Sequence, residues 1–375
     1  MQSIWESRQF HRTPDLVVVG AGIVGLFTAL FYKRRNPGHH VLVVERGAFP
    51  SGASVKNAGF ACFGSPSELL ADLDQEGADR MLARVENRWK GLLELRAELG
   101  DKSIGFEPSG GHEIYKVDEL QYTQVCERFD DLNASLRPIF GKAAFRWDDE
   151  GVVRFGLGAG HRMVRTDLEG PLDAGMLMGT LLRKALAEGV FFRPRTTVAR
   201  ITEEQDQVLL DLADGDRIQT SQIAVCTNGY ARELLPDIAV VPARGQVLKT
   251  TPIDGLKLKG TFHYKQGYYY FRDHAGGVLL GGGRDLDKAA EETMTEATTD
   301  LVQSALEQML REVILPGRSF AIAQRWSGIM GMGPSKTPIV ERRGPRVVVA
   351  VRLGGMGVAI GIRVAREAAA LLDRG

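Results

Sequence analysis

The sequence predicts an α/β protein in which a parallel sheet with covering helices is interleaved with an α+β part built on an antiparallel sheet. Residues 15–45 read as a strand, a glycine turn, a helix and a second strand, which is the order of a βαβ unit. Later strands follow one another closely, with a hairpin signal at Asp214-Gly215, and this indicates antiparallel pairing. No long linker separates the two kinds of segment, so we expect several pieces of chain to build each part.

The predicted elements place the parallel part in residues 1–100, 156–238 and 327–375, and the antiparallel part in residues 101–155 and 239–326. Apolar residues at helical spacing predict helices at 23–35, 67–100 (one helix or two), 173–188, 295–312 and 358–372. Runs of β-branched and aromatic residues predict strands at 241–250, 268–271, 276–283 and 346–351.

Composition narrows the class of partner. Lysine plus arginine equals aspartate plus glutamate at 47 each, so no basic surplus points to nucleic acid. Glycine, at 44 of 375 residues, exceeds its usual share of about 7%, as turns and close backbone approaches to a large ligand require. The three cysteines, Cys62, Cys126 and Cys226, are widely spaced, so we expect no disulfide, no metal site and a reducing, cytoplasmic setting.

The run Leu16–Tyr32 carries no charge and precedes three basic residues, so it imitates a short signal anchor. It contains three glycines, and it is shorter than the roughly 20 residues that a membrane helix needs. We therefore expect a soluble protein with no membrane span.

The first motif with chemical content is Gly20-x-Gly22-x-x-Gly25, which follows a strand and opens a helix. This pattern allows a tight turn, close approach of a pyrophosphate and close helix packing, with the phosphates at the helix N-terminus. Glu45 ends the next strand and suits a ribose 2′-hydroxyl. The motif predicts a Rossmann-like dinucleotide site that includes Gly20, Gly22, Ile23, Val24, Gly25, Glu45 and Arg46.

The second motif distinguishes FAD from NAD. Residues 51–64 form a glycine- and alanine-rich segment where an NAD enzyme usually enters another helix. Such a path can follow the ribityl chain and the flavin ring system, although a flexible surface loop would have the same composition. The residues that we assign to FAD here are Ser54 and Asn57, as hydrogen-bond partners of the cofactor.

A third glycine-rich turn, Arg352 to Val358, follows a late strand and opens the last helix. The positive end of that helix can face the flavin and stabilise its reduced, anionic form. Packing of the helix against a sheet would explain the same glycines. The candidate cofactor residues are Gly354, Gly355, Met356, Gly357 and Val358.

These motifs, with the stretches GASVKNAGF and AVCTNGY, resemble the FAD-dependent D-amino-acid oxidase superfamily, in particular its glycine oxidase, sarcosine oxidase and gamma-glutamylputrescine oxidase branches. The resemblance covers most of the chain. It implies a discontinuous FAD-binding domain in the parallel part and a substrate domain in the antiparallel part. It further implies that Val198 meets the adenine through its backbone, and that Thr227, Asn228 and Gly229 lie near FAD. The residues that line the flavin are, by the same resemblance, Ser54, Asn57, Ala58, Gly59 and Phe60.

The resemblance implies that an amine or amino acid gives a hydride to flavin, that the resulting imine hydrolyses, and that dioxygen or another acceptor reoxidises the cofactor. Three alternatives stay open. A 2-hydroxy-acid oxidase or dehydrogenase would share the fold. An aromatic hydroxylase would carry a late Gly-Asp-Ala segment, where this chain has GGMG. A non-catalytic FAD-binding protein would lack a working substrate site.

The chain differs from the families that it resembles at positions expected to bind the substrate or attach the flavin. The arginine that holds the substrate carboxylate in glycine oxidase is absent from the corresponding stretch Gly328–Gly331. Met332 stands near the place where sarcosine oxidase attaches its flavin to cysteine, and Ala359 stands near that enzyme's late lysine. The resemblance therefore implies noncovalent FAD and leaves the substrate open.

Three residues are candidates for catalysis. Tyr268 falls where glycine oxidase has an active-site tyrosine, but a tyrosine stripe is often only a half-buried wall. Arg284 can hold a substrate carboxylate, or it can form a surface ion pair with Asp285 or Asp287. Lys56 can supply a cation near the flavin, or it can be a solvated loop lysine.

Overall fold

The chain folds into two units, and the computed structural model describes residues 3–9 and 12–373. The first unit comprises Met1–Val55, Gly175–Ala243 and Ile329–Gly375, and the second comprises Lys56–Ala174 and Arg244–Gly328. Residues 56–100 and 156–174, which we expected in the parallel part, thus pack within the second unit. The assignment of cofactor and substrate roles to particular segments stays a prediction.

The first unit contains a six-stranded sheet that is parallel except for one edge strand. Its strands, from edge to edge, are Ile339–Arg342, Val347–Val351, Gln222–Val225, Leu16–Val19, Val41–Val44 and Phe191–Arg193. A three-stranded antiparallel sheet consists of Val198–Glu203, Val208–Leu212 and Arg217–Thr220. The helical segments of this unit are Ile4–Gln9, Ile23–Arg35, Ala174–Ala187, Asn228–Glu233 and Gly357–Leu372.

The central strands of this sheet are apolar at all positions except Gln222, because both of their faces are covered. Leu16–Val19 is buried throughout, as is usual for a parallel strand with helices on both sides. The helix Ile23–Arg35 buries ten consecutive residues, and it packs on Gly357–Leu372. The anchor-like run Leu16–Tyr32 is therefore a strand, a turn and part of a helix. Among the described residues, no helix has the length and apolar character needed to cross a membrane.

The second unit is organised around an eight-stranded sheet with mostly antiparallel pairing. The strands, in spatial order, are Ile322–Met332, Val241–Thr250, Gly277–Gly282, Tyr269–His274, Thr261–Tyr264, Gly111–Lys116, His161–Thr166 and Arg146–Trp147. A separate pair joins Phe60–Ala61 to Gly170–Pro171. The helical segments are Ala53–Lys56, Pro66–Glu76, Ala78–Leu99, Asp101–Ile104, Leu120–Phe140, Glu150–Phe155, Arg284–Leu286, Lys288–Glu291, Asp300–Met309 and Leu310–Ile314.

The two faces of this large sheet have different neighbours, and strand alternation decides which side chain meets which. Tyr269 and Phe271 point into the main core of the unit, where Phe271 stacks on Phe262 at 4.8 Å between ring centroids. Tyr270 instead belongs to a smaller cluster on the other side, which includes Ala58 and Trp326. The sheet therefore presents Tyr270, and not its neighbours, to the segment that begins at residue 56.

Two predicted boundaries were wrong. The helix expected at 295–312 begins only at Asp300 and ends at Met309, followed by a π turn. Its expected first turn is held extended because the Thr299 N–H donates to Gln246 Oε1 at 2.9 Å. The strand expected at 268–271 begins at Tyr269, since Lys265, Gln266 and the next glycine adopt positive φ in the preceding turn.

Candidate cofactor and substrate sites

Each glycine of the first motif is required by its surroundings. Gly20 has a φ of +102°, and a Cβ there would lie 3.0 Å from the Cys226 carbonyl oxygen. A Cβ on Gly25 would lie 1.9 Å from the Gly20 carbonyl oxygen, so only glycine allows the helix to approach the turn. At Gly22 the neighbour is the Ser54 hydroxyl oxygen, 3.0 Å from the same hypothetical atom. The turn thus forms a side-chain-free cradle of the kind that a pyrophosphate needs.

The helix that follows this cradle carries no acidic side chain in its own first turn. It begins at Ile23, and its N-cap residue Gly22 has no side chain to cap it. The Ile23 N–H donates to Ser54 Oγ at 3.0 Å, which fixes the glycine- and alanine-rich segment to the turn. Val24 and Gly25 continue the buried first turn. This N-terminus is therefore suited to an anion.

Glu45 anchors the same turn. Its carboxylate accepts hydrogen bonds from the N–H groups of Ala21 and Gly47, both at 3.0 Å, and from Ser51 Oγ at 3.3 Å. The side chain is buried, with 8% exposed. The predicted acid thus lies at the predicted strand end, and it also organises the backbone around itself.

The adenine-side candidates lie close to that strand end. The Glu45 carbonyl accepts from the Thr196 N–H at 2.8 Å, two residues before the buried Val198 begins its strand. Arg46 places its guanidinium 3.7 Å from the ring centroid of Tyr230 and pairs weakly with Glu233 at 3.8 Å. Arg46 therefore already has partners on its own unit.

Asn228 and Gly229 act as scaffold residues. Asn228 has a φ of +46°. Its Oδ1 accepts from the backbone N–H groups of Arg352 at 3.1 Å and Leu353 at 3.3 Å. A Cβ on Gly229 would lie 2.8 Å from the Met330 carbonyl oxygen. The hydroxyl of Thr227 is buried and has no partner among the residues described, so it is the member of this trio available to a ligand.

The late glycine turn uses a left-handed backbone conformation that glycine adopts easily. Gly354 has a φ of +57°, and its N–H donates to the Gly331 carbonyl at 2.9 Å. The nearest atom to a Cβ on Gly355 would be Met330 Sδ at 4.0 Å, so space is open there. The helix starts at Gly357 after Met356, carries no acid in its first turn, and buries Val358. The first unit therefore presents a second helix N-terminus without an acidic side chain in its first turn.

The segment that begins the second unit is ordered, although its composition also suits a flexible loop. Asn57 Oδ1 accepts from the Gly59 N–H at 2.8 Å. Gly59 has a φ of +72°, and a Cβ there would lie 2.2 Å from the Leu172 carbonyl oxygen. The buried Arg272 donates to that same oxygen at 2.6 Å. Arg272, which sequence reasoning missed, thus fixes the segment, and its only signal was a charge inside an apolar strand.

Lys56 is held by specific contacts. Its ammonium pairs with Glu296, and its carbonyl accepts from Trp326 Nε1 at 3.0 Å. A Cβ on Gly328 would lie 2.8 Å from the Lys56 Cβ, so the chain packs tightly around the lysine stem. Lys56 is therefore not a solvated loop lysine, and its role as a cation near the flavin stays a prediction.

The tyrosines of GYYYFR do not share one face: Tyr268 and Tyr269 pack on the main core, and Tyr270 lies on the other side of the sheet. Tyr268 packs against the main core, and Lys288 Nζ lies 5.3 Å from its ring centroid. Tyr270 lies on the opposite side of the sheet and meets Phe60 edge to face at 5.8 Å between centroids. Trp326 belongs to the same cluster, so the aromatic surface next to the segment of Phe60 consists of Tyr270 and Trp326. The role of Tyr268 stays a prediction, and the sequence alone did not single out the other two.

Arg284 is half-buried and forms no ion pair with Asp285 or Asp287 in the described part of the chain. Its positive charge acts on Tyr270: burial raises the pKa of the Tyr270 phenol to about 12, and the charge of Arg284 opposes this increase. The expected alternative of a surface ion pair with Asp285 or Asp287 is therefore absent among these residues.

The described ranges 3–9 and 12–373 contain no group of three His, Cys, Asp or Glu side chains arranged to hold a metal ion. Cys62 and Cys226 are buried as free thiols, and Cys126 is exposed. Burial raises the pKa of the Cys226 thiol to about 12, so it is not a reactive thiolate.

The glycine cradle, the bare helix N-terminus and the acid at the strand end define an α/β dinucleotide-binding protein. Residues 15–371 match the family of FAD dependent oxidoreductases known as DAO. The chain belongs to this family, and it is an oxidoreductase with FAD as its cofactor. The predicted family, fold class and FAD cofactor are confirmed.

Comparison with known proteins supports the same family. D-amino acid dehydrogenase of Rhizobium johnstonii is 25% identical over 393 residues, and the match covers 87% of either chain. L-proline dehydrogenase from P. horikoshii has a TM-score of 0.75 at 18% identity, covering 97% of this chain and 94% of that one. Glycine oxidase from Bacillus cereus has a TM-score of 0.74 at 17% identity, covering 96% and 95%. These two structural likenesses show a shared fold.

Proposed function

We propose that this protein oxidises the C–N bond of an amino acid or another amine that carries a carboxylate. The observation that carries the proposal is the half-buried Arg284 guanidinium, which has no carboxylate partner within the described chain and whose charge acts on Tyr270 of the aromatic cluster. A guanidinium in such a place suits a carboxylate ligand, which can form two parallel hydrogen bonds with it. The relatives named as acting on D-amino acids, L-proline and glycine support the same class of substrate.

The reaction assigns simple tasks to the protein. FAD, when bound, would supply the redox chemistry: the carbon next to the amine nitrogen would lose a hydride to it and the nitrogen a proton, water would hydrolyse the imine, and dioxygen or another acceptor would take the electrons. Arg284 holds the carboxylate and so orients the reacting carbon. Tyr270 and Trp326 form an apolar wall, and the Trp326 N–H is already used by the Lys56 carbonyl. The wall thus excludes water and offers the substrate an aromatic surface.

We further propose how the chain holds FAD. The N-terminus of the helix Ile23–Arg35 binds the pyrophosphate, and Glu45 accepts from a ribose hydroxyl. Thr227 supplies a hydroxyl to the cofactor, and the N-terminus of the helix Gly357–Leu372 faces the flavin and stabilises its reduced form. Asn57 to Phe60 line the flavin. The open cradle at Gly22 and the partnerless Thr227 hydroxyl support these assignments.

An anaerobic spectral screen tests the proposed reaction. Purified yellow protein is mixed without oxygen with amines, N-methyl amino acids, D- and L-amino acids and 2-hydroxy acids. Bleaching by an amino acid supports C–N oxidation. Bleaching by 2-hydroxy acids alone would establish the alternative substrate class, and no bleaching with any compound would favour a non-catalytic FAD-binding protein.

A pair of arginine variants tests the carboxylate assignment. Arg284→Leu should raise the KM of the identified substrate about 10-fold or more with unchanged FAD content, since a charge-assisted hydrogen bond contributes about 1.5–3 kcal/mol. Arg311→Leu is the matched control, because Arg311 is an exposed arginine paired with Glu307. Equal KM values for the two variants would show that Arg284 does not bind the carboxylate.

A further inference from the structure

A small cavity lies inside the second unit, beside the residues that follow the strand Phe60–Ala61. The centre of a water-sized molecule has about 10 Å³ available there, close to the least space that one buried water requires. Its lining includes His112, Glu113, Glu169 and His263. Their exposed fractions are only 2%, 1%, 2% and 7%, in that order. None of these residues belongs to the cofactor or substrate assignments above.

Two histidines present unpartnered nitrogen atoms at this cavity. His112 Nδ1 lies 3.1 Å from the Thr261 carbonyl oxygen, which can only accept, so the ring hydrogen is on Nδ1 and Nε2 is a bare acceptor. Nε2 of His112 and Nε2 of His263 are both buried without a protein partner among the described residues. Burial lowers the pKa of each imidazole to about 4, so both rings are neutral at physiological pH.

The carboxyl groups of Glu113 and Glu169 differ in how many of their oxygen atoms have hydrogen-bond partners. Glu113 is fully satisfied: it accepts from the Ser67 N–H at 2.9 Å, from Ser65 Oγ at 3.0 Å, and from the hydroxyls of Ser67 and Tyr115. Glu169 accepts through Oε1 only, from the N–H groups of Phe63 at 2.7 Å and Gly64 at 3.4 Å. Within the described chain, Glu169 Oε2 has no hydrogen-bond partner, so it is the free oxygen at the cavity.

Burial is the main reason why Glu169 favours the acid form. Burial raises the pKa of Glu169 to about 8, the bonds from Phe63 and Gly64 oppose this, Glu68 raises the pKa further and Arg88 lowers it. Arg88 is itself paired with Glu68 at 3.1 Å, which weakens its effect on Glu169. The other titratable neighbours are the buried Cys62 thiol, whose pKa burial raises, and the cavity groups His112, His263 and Glu113. At neutral pH the proton therefore belongs on Oε2, since Oε1 is occupied by two donors.

We propose that this cavity binds one water molecule, which accepts a hydrogen bond from the carboxyl group of Glu169 and donates to Nε2 of His112 and Nε2 of His263. The arrangement uses one acceptor site and both donors of the water, and three bonds is the usual number for a buried water. It also satisfies the polar atoms that the protein leaves without partners. The water links the loop residues Phe63 and Gly64, through Glu169, to the strands that carry the two histidines.

This link reaches the proposed flavin segment. His263 meets the ring of Phe60 edge to face, with 5.2 Å between centroids, so the orientation of the histidine affects the position of that ring. Loss of the proton from Glu169 removes the donor to the water and places a charge in the cavity. The water therefore connects the segment after Phe60 to the sheet through hydrogen bonds, and these bonds depend on the protonation of Glu169.

A high-resolution crystal structure of the FAD-loaded protein at neutral pH is the direct test. We expect one ordered water within about 2.7–3.2 Å of Glu169 Oε2, His112 Nε2 and His263 Nε2. Gly111→Ala should displace it, because the added Cβ would lie 2.3 Å from Glu169 Oε2. An empty cavity in the parent protein, or an ion identified by its anomalous signal, would overturn the proposal.

The role of the acid has its own test. A carboxyl pKa raised by folding makes stability fall as pH increases from 4.5 to about 8, because only the unfolded chain releases the proton in that range. Glu169→Gln cannot ionise, yet its amide can still donate to the water. The melting temperature of the parent protein should fall relative to that of Glu169→Gln across this range and level off above it. A constant difference would overturn the proposal, and Glu150→Gln, at an exposed carboxylate, should show such a constant difference.

Discussion

Glu45 allows a quantitative test of the nucleotide cradle. Glu45→Ala removes the acceptor for three hydrogen bonds, from Ala21 N, Gly47 N and Ser51 Oγ. The two backbone N–H groups are the costly ones, and each unpaired group costs about 1–1.5 kcal/mol. We therefore expect the free energy of unfolding of the FAD-free protein to fall by about 2–3 kcal/mol. Loss of a ribose hydrogen bond should further weaken FAD binding by about 1–3 kcal/mol, or about 5–150-fold in Kd.

Urea denaturation and fluorescence titration with FAD measure the two effects separately. Glu233→Ala is the matched control, because Glu233 is about half exposed (48%) and its ion pair within the described residues is a 3.8 Å contact to Arg46. Such a surface pair contributes less than about 1 kcal/mol. If Glu45→Ala and Glu233→Ala had the same free energy of unfolding and the same FAD affinity, the assignment of Glu45 as the organiser of the cradle would be refuted.

Three further predictions concern the cofactor and the wall. Gly22→Val should lose FAD because the valine side chain would enter the cradle beside Ser54. Gly38→Ala should keep its FAD, because no described atom lies within 4 Å of the added Cβ. Flavin absorbance per mole of protein measures the FAD content of both variants. Acid precipitation should release FAD into the supernatant, and yellow colour in the washed pellet would contradict noncovalent binding. Tyr270→Phe should change KM or turnover more than Tyr268→Phe, with FAD content unchanged in both, and the reverse order would return the catalytic role to Tyr268.

The first unit was largely predictable because its signals are local. A glycine turn between a strand and a helix, with an acid at the end of the next strand, has a fixed spacing within 30 residues, from Asp15 to Glu45. The apolar runs that follow have no polar face, so they are central strands of a covered sheet. The structure has these strands and the closing helix within one or two residues of the expected positions.

The candidate site of the second unit was less predictable because distant residues decide it. Lys56 meets Glu296, which is 240 positions away, and no local pattern indicates that pair. Arg272 reaches Leu172 across 100 positions. In GYYYFR three identical residues follow a turn, so the strand's starting point determines which tyrosine faces which side. Composition cannot provide that register.

The contact at Gly361 has a consequence for ligand length. A Cβ there would lie 2.6 Å from Ile23 Cγ2, so this glycine sets how closely the helix Gly357–Leu372 approaches the helix Ile23–Arg35. In the proposed mode of FAD binding, the N-terminus of one helix binds a phosphate and that of the other faces a flavin oxygen. The packing at Gly361 would then fix the distance between these two binding points, and a bulkier residue at 361 would change the length of dinucleotide that fits.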